Sequence, residues 1–407
     1  MGHFQLKYKR IYNLKRSKYL WWGFLVMVFG IPISQFTSAR ILLLVLIFSF
    51  FIGNIRVKFY EAYKLGWDLG FYLLVLIGGL IYSENLALGI SVIETSFSFL
   101  AFPIVFAAIR VAGNFKAETL FYSFSCGTLV ACVIVFINAN VQFVMTSDKE
   151  AFMYYNLTEI IGLQPTYLAY YLIFSITYGV HLLYYDTSGF NSLVMGFLIL
   201  FMVLILTLTG GHTTFISLIF IISFFVLKYL LDKRTLKKTY VISLVLIILI
   251  GLLSLSSMDY FKSLFSSQND YWERSVLWRS AIEANPNPLF GVGTGDYKEA
   301  LNAYYNSHGM VEFAEGSYNS HNQFIQLYFS NGIFGLFVLV LIVARPLYLS
   351  FKNQFTLGIL LFFPFVIYGM TEVFLGRYQG VVFFVLLHQI IISHYHVSKQ
   401  QSAFNIA

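Results

Sequence analysis

The chain has 407 residues, 58% of them hydrophobic, 19% aromatic and 11% charged, with a mean hydropathy of +0.73. That composition excludes an ordinary soluble domain and points to a polytopic, all-α membrane protein, since apolar runs of about 20 residues are long enough to cross a bilayer. A formal net charge of +7 could suggest a nucleic-acid surface. The basic residues instead cluster in short segments between apolar runs, where they set membrane orientation, so the expected partner is the lipid bilayer and not nucleic acid.

In chain order, apolar stretches near 19–37, 40–54, 65–83, 87–109, 119–140, 164–184, 192–208, 211–231, 240–257, 321–344, 354–371 and 378–396 predict about twelve membrane helices. Lys7, Lys9, Arg10, Lys15, Arg16 and Lys18 precede the first, which places the N-terminus inside. Alternating from there brings Arg56, Lys58, Lys64, Arg110, Lys116, the basic residues between Lys228 and Lys238, Arg345, Lys352 and Lys399 to the same side, so the C-terminus is also inside. The first run lacks a small-residue cleavage site and is followed by further spans, so it is expected to be retained. Cys126 and Cys132 fall in one span, giving neither a disulfide framework nor zinc spacing.

Three regions follow: a bundle of about nine spans over 1–257, a large outer loop over 258–320, and about three spans over 321–407. The loop carries eight acidic residues against Lys262, Arg274, Arg279 and Lys298, so its arginines stand out. Within it, Asp270 to Ala284 reads as a helix, capped by Asp270, with Glu273 at the capping-box position and Pro286 and Pro288 beyond its end. Arg274, Trp278 and Ile282 share a face, on which Trp278 suits the headgroup region. The alternative for the arginines is plain i,i+4 pairing, Arg274 with Asp270 and Arg279 with Glu283.

Gly291-Val-Gly-Thr-Gly295 has GxGxG spacing without a preceding strand or a Lys-Ser/Thr, so it reads as a flexible turn and not a nucleotide loop. His321 is expected to open the next helix, with Gly332 and Gly335 below it on one face at about 100° per residue. Thr209-Gly210-Gly211-His212 marks an outer junction where His212 could donate to an anion. Asp68, Glu94 and Glu372 lie within apolar stretches and need a reason to be there. Asp68 and Glu372 are expected to snorkel to the surfaces; Glu94, deeper, has no assigned role. No Asp-x-Asp pair, Ser-His-Asp order or G-x-S-x-G elbow occurs.

Glu273-Arg274 with Trp278, Asn287-Pro288-Leu-Phe-Gly291-Val-Gly293, and His321-Asn322 followed by Gly332 and Gly335 together resemble the O-antigen ligase and polymerase family. The resemblance is closest over 258–345, and Gln164-Pro165-Thr166-Tyr167 resembles a His-Pro-x-Tyr segment of its members. It implies a GT-C-like enzyme of the bacterial inner membrane. Such an enzyme takes a glycan from an undecaprenyl diphosphate carrier on the periplasmic side and joins it to a glycan or lipid acceptor. Arg274 matches the family's loop arginine and His321 its histidine. A second family arginine has no counterpart, because Gly211-His212 stands there, which leaves that role to His212 or Arg279.

The chemistry is consistent with this resemblance. Diphosphate is a good leaving group that needs preorganised cations more than a general acid, and arginine forks match phosphate oxygens. The acceptor hydroxyl loses its proton as it attacks; neutral His321 can take it, and the positive end of the following helix disfavours the imidazolium. One displacement inverts the anomeric centre. The expected site is thus His321 and Arg274 as catalytic groups, with Arg279, His212, Asn322 and Trp278 binding substrate and with no metal or cofactor. The competing class, a secondary transporter or flippase, predicts broken helices and an internal repeat. A membrane acyltransferase would want a His-Asp pair, which His181 and His388 are expected to lack.

Overall fold

The computed structural model describes residues 2–185, 191–210, 212–231 and 268–404. The span expected at 240–257 and the first residues of the loop lie outside them, as do Gly211 and the side chain of His212. Among the described residues every regular element is helical: α1 (Gly2–Gly30), α2 (Gln35–Ser49), α3 (Ile55–Ile81), α4 (Leu86–Thr95), α5 (Ser98–Val111), α6 (Ala117–Thr146), α7 (Tyr154–Thr158), α8 (Pro165–Tyr185), α9 (Ser192–Leu208), α10 (His212–Leu231), α11 (Gln268–Glu283), α12 (Tyr297–Ser307), α13 (Val311–Glu315), α14 (Gln323–Lys352), α15 (Thr356–Phe362), α16 (Pro364–Gly369) and α17 (Tyr378–Phe404). Six are long and apolar enough to cross a membrane: α3, α4 with α5, α6, α8, α14 and α17. The other expected spans fall largely on helices, but α1 and α3 start at Gly2 and Ile55, well before 19 and 65, the stretches at 87–109 and 354–371 are each split in two, and several helices, such as α2 and α9, are shorter than a full crossing.

Two compact units are present, one from 25–39 and 118–268, the other from 1–24, 40–117 and 269–407. The first is cemented by aromatic edges, Phe124 meeting Tyr171 and Phe174 at ring distances of 5.2 and 5.0 Å. In it Gly127 passes so close to Phe29 that a Cβ would lie 2.0 Å from its carbonyl oxygen.

The second unit holds the loop and is built around α3, α5, α14 and α17. Gly66 kinks α3, and the Pro103 ring of α5 fills the space its missing side chain leaves, 2.4 Å from where a Cβ would sit. The kink breaks the helical ladder and frees carbonyls. Arg345 of α14 donates to Lys64 O at 2.7 Å and Leu65 O at 3.2 Å, and Gln389 of α17 donates to Leu65 O at 3.2 Å. Asp68, a turn below, pairs with Arg345 and with His388 Nε2 at 2.8 Å. This corrects two expectations. Asp68 does not snorkel, being fully buried, and His388 does have an acidic partner, because partners 320 residues apart are brought together only by the fold.

Candidate active site

The loop is a packed layer of its own. Leu277 and Ala281 on α11 face Leu301 and Tyr305 on α12, one helical turn apart in each, and Phe329 of α14 closes the cluster. The helix of Arg274 is already running at Gln268, so Asp270 lies inside it and does not cap it.

Gly291 to Gly295 is a buried clasp and not a flexible turn. Gly332 interrupts α14 with φ +63°, and the unwound turn leaves carbonyls that the loop takes up. Val292 N donates to Phe329 O at 3.0 Å, Gly293 N to Ser330 O at 2.9 Å, and Ile333 N to Pro288 O at 2.9 Å. A Cβ on Gly332 would sit 2.2 Å from the Leu289 backbone, so only glycine permits this approach. Thr294 then donates through Oγ1 to Leu76 O at 2.7 Å, and the Asp296 carboxylate accepts from Glu84 N and Asn85 N at 2.9 and 2.8 Å. The same break means that Gly335 does not continue the His321 stripe.

At the top of α14 the helix begins at Gln323, two residues later than expected. Asn322 is its N-cap: Oδ1 accepts from Phe324 N and Ile325 N at 2.9 and 3.1 Å, and Nδ2 donates to Met370 O at 3.2 Å. Both ends of the Asn322 amide are therefore spent on the fold. Gln323 Oε1 accepts from Leu375 N at 2.7 Å, so the 370–375 turn is strapped to the helix mouth. The strap brings Glu372 opposite His321, Oε2 to Nδ1 3.4 Å, with the two side chains 28% and 32% exposed. His321 itself has φ +43°, a left-handed conformation few non-glycine residues adopt, and its N–H donates to Asn319 Oδ1 at 2.8 Å. A histidine held in a strained turn, with one ring nitrogen at a carboxylate, leaves Nε2 to exchange a proton with a bound hydroxyl.

The other expected residues are placed differently. Arg279 bonds Glu283 through Nε at 2.6 Å on the exposed face of α11, and Tyr304 donates to the same carboxylate at 2.5 Å. The Tyr304 hydroxyl and Arg279 hold the Glu283 carboxyl below the usual range. Arg274 is half-buried and has no ion-pair partner among the described side chains. The Trp278 Nε1 is buried and has no acceptor among them. Glu372 was missed as a site residue: its only sequence signal is a carboxylate in an apolar stretch, and its partner lies 51 residues upstream.

Residues 197–340 match the model of the family described as O-antigen ligase. Over that segment, about a third of the chain, the protein is similar to the O-antigen ligase family. The matched segment contains His212, Arg274 and His321, while Glu372 lies beyond it. An uncharacterized protein of Haemophilus influenzae is 24% identical over 299 residues, covering 66% of this chain and 71% of that one. With six helices among the described residues long and apolar enough to cross a bilayer, this chain is a multi-pass membrane protein.

Proposed function

We propose that the protein is a GT-C-like glycosyltransferase of the bacterial inner membrane, with about twelve spans, cytoplasmic termini and its loop on the periplasmic side. It moves a glycan from an undecaprenyl diphosphate carrier to an acceptor hydroxyl on a second glycan or a lipid. The 258–320 loop delivers Arg274. The observation that carries this reading is the His321–Glu372 pair at the mouth of α14. In one displacement the acceptor oxygen forms the new glycosidic bond and the anomeric carbon–diphosphate bond breaks, with inversion. The hydroxyl proton goes to His321 Nε2. The carboxylate of Glu372 stabilises the imidazolium that results, and Arg274 meets the charge growing on the diphosphate. No divalent metal is needed for this scheme, so turnover should survive excess chelator.

The transporter reading draws support from the breaks in α3 and α14, since transport folds place ion sites at such breaks. Here both are filled by protein: Arg345, Gln389 and Pro103 occupy one, and the 288–293 backbone the other. The deciding experiment is donor consumption by purified His321→Ala at matched expression. Transfer should fall about 100- to 10,000-fold, the usual weight of a general base, with the fold intact. Near-normal turnover would remove His321 as the base.

A further inference from the structure

Beside the His321 turn lies a cavity of about 410 Å³, walled by α3, α4, α12, α14 and the 373–377 segment. Its volume falls in the range of small-molecule sites. Tyr318 and Asn319, the neighbours of His321, line it.

Besides hydroxyls such as Ser91, Thr95 and Ser317, which can donate or accept, the wall holds amides and cations. Gln323 and Gln326 are 2% and 5% exposed, and their carbonyl oxygens are already taken, Gln323 Oε1 by Leu375 N at 2.7 Å and Gln326 Oε1 by Ser320 N at 3.3 Å. A backbone N–H can only donate, so these contacts fix the amide orientation. The two NH2 groups remain as donors without an acceptor among the described residues. Lys298 and Arg377 also line the cavity, are exposed, and have no carboxylate partner among the described residues. No Asp or Glu is in the lining. A surface that offers amide donors, hydroxyls and cations and no carboxylate fits a ligand rich in oxygen acceptors and negatively charged at one edge.

We propose that this cavity seats a sugar acid of the glycan substrate, its ring against the buried amides and Tyr72, Tyr297 and Tyr318, its carboxylate toward Arg377 and Lys298. This rests on the transferase reading only for the ligand being a glycan. The distribution of charge favours a sugar acid over the carrier's diphosphate. The cations are exposed while the buried donors are neutral, so the deep part of the ligand is hydroxylated and uncharged. A diphosphate, charged along its length, would place much of its charge against amides alone.

The test is binding to the full chain in nanodiscs, read by calorimetry, using a hexuronic acid disaccharide and its carboxyl-reduced counterpart. The acidic disaccharide should bind about tenfold more tightly, the weight of two solvent-exposed charge pairs. Arg377→Gln with Lys298→Gln, both at exposed positions, should abolish that preference and leave the neutral disaccharide unchanged. Gln326→Glu keeps the oxygen that accepts from Ser320 and converts the donor to an anion, so it should expel the acidic disaccharide. Equal affinity for the two sugars, or a preference that survives the double change, overturns the proposal. So does inorganic pyrophosphate displacing the disaccharide and losing its own affinity in the double variant, which would make the cavity a diphosphate site. His321→Ala should bind the acidic disaccharide normally. Selective binding by a wild-type protein that never transfers would leave this inference standing and sink the transferase reading.

Discussion

Helix α14 carries an ionic group near each end, and the two are built on different terms. Toward the C-terminal end, Arg345 reaches Asp68 and two backbone carbonyls, and Asp68 reaches His388; the Asp68 and His388 side chains are wholly buried and Arg345 is 12% exposed. At the N-terminal end, His321 and Glu372 stand 3.4 Å apart, each about one-third exposed, with a cavity of unspent donors alongside. The first group has its charges paired inside the protein, so its role is to pin α3, α14 and α17 together. The second is held in place by other residues, chiefly Asn322 and Gln323, and keeps its own chemistry free. A satisfied buried charge therefore marks architecture, and a positioned but unspent one marks function.

The largest effect that tests this contrast is on stability. Asp68→Asn removes the only carboxylate facing buried Arg345 among the described residues and should cost about 3–5 kcal/mol. Thermal unfolding in detergent reads it directly. Pairing the change with Arg345→Met should recover much of the loss, since no buried cation is then left uncompensated. If Asp68→Asn unfolded like the parent but lost transfer, the Asp68 cluster would be functional and the contrast would fail.

Next comes the loop, where the same contrast recurs on α11. Arg274 has no ion-pair partner among the described side chains, whereas Arg279 has two neighbours committed to its salt bridge. Arg274→Lys keeps the charge and loses the fork that matches phosphate. Transfer should fall about 10- to 100-fold, in line with charge-assisted hydrogen bonds of roughly 1.5–3 kcal/mol. A donor-consumption assay showing less than a twofold change would return Arg274 to a structural role.

The long apolar helices were legible from run length, because a membrane span needs about 20 apolar residues whatever surrounds it. His321 and Arg274 were legible as residue types set at spacings shared with a family. What sequence could not show is anything made by long-range approach. The clasp of Gly291 to Gly295 looked like a loose turn because its partners are far off in the chain, Phe329 and Ser330 on α14 and, 212 to 218 residues away, Leu76, Gly79 and Ser83. The break at Gly332 was hidden in a continuous apolar stretch, since one glycine among apolar residues does not say whether backbone will approach it. Glu372 and the cavity donors were invisible for the same reason.

A smaller effect separates positioning from structure at the site. Glu372→Gln preserves shape and removes the charge that stabilises the imidazolium, a species formed only as the proton moves. The loss should fall on kcat, about tenfold, with KM little changed. An unchanged kcat, or a rise in KM alone, would make Glu372 a substrate contact or a bystander. Glu372→Asp, which keeps the charge on a shorter arm, should recover part of the rate.

The smallest effect is expected at Arg279, where the group is both exposed and satisfied. Its side chain is 79% exposed and bonds Glu283, and Tyr304 donates to the other carboxylate oxygen. Arg279→Lys keeps an i,i+4 pair and leaves Tyr304 in place, so transfer and unfolding temperature should match the parent, as usual for exposed ion pairs. The acid response is where this trio should show itself. The Glu283 carboxyl is held low first by the Tyr304 hydroxyl and then by Arg279, so its contribution is present above the ordinary carboxylate pKa and is lost as pH falls through the lowered one. Hydrogen exchange at the α12 amides should therefore quicken under acid, and in Glu283→Gln it should be faster already at neutral pH and less dependent on acid. A marked loss of transfer in Arg279→Lys would show that the salt bridge opens to receive substrate, and would make α11 an exception to the contrast drawn along α14.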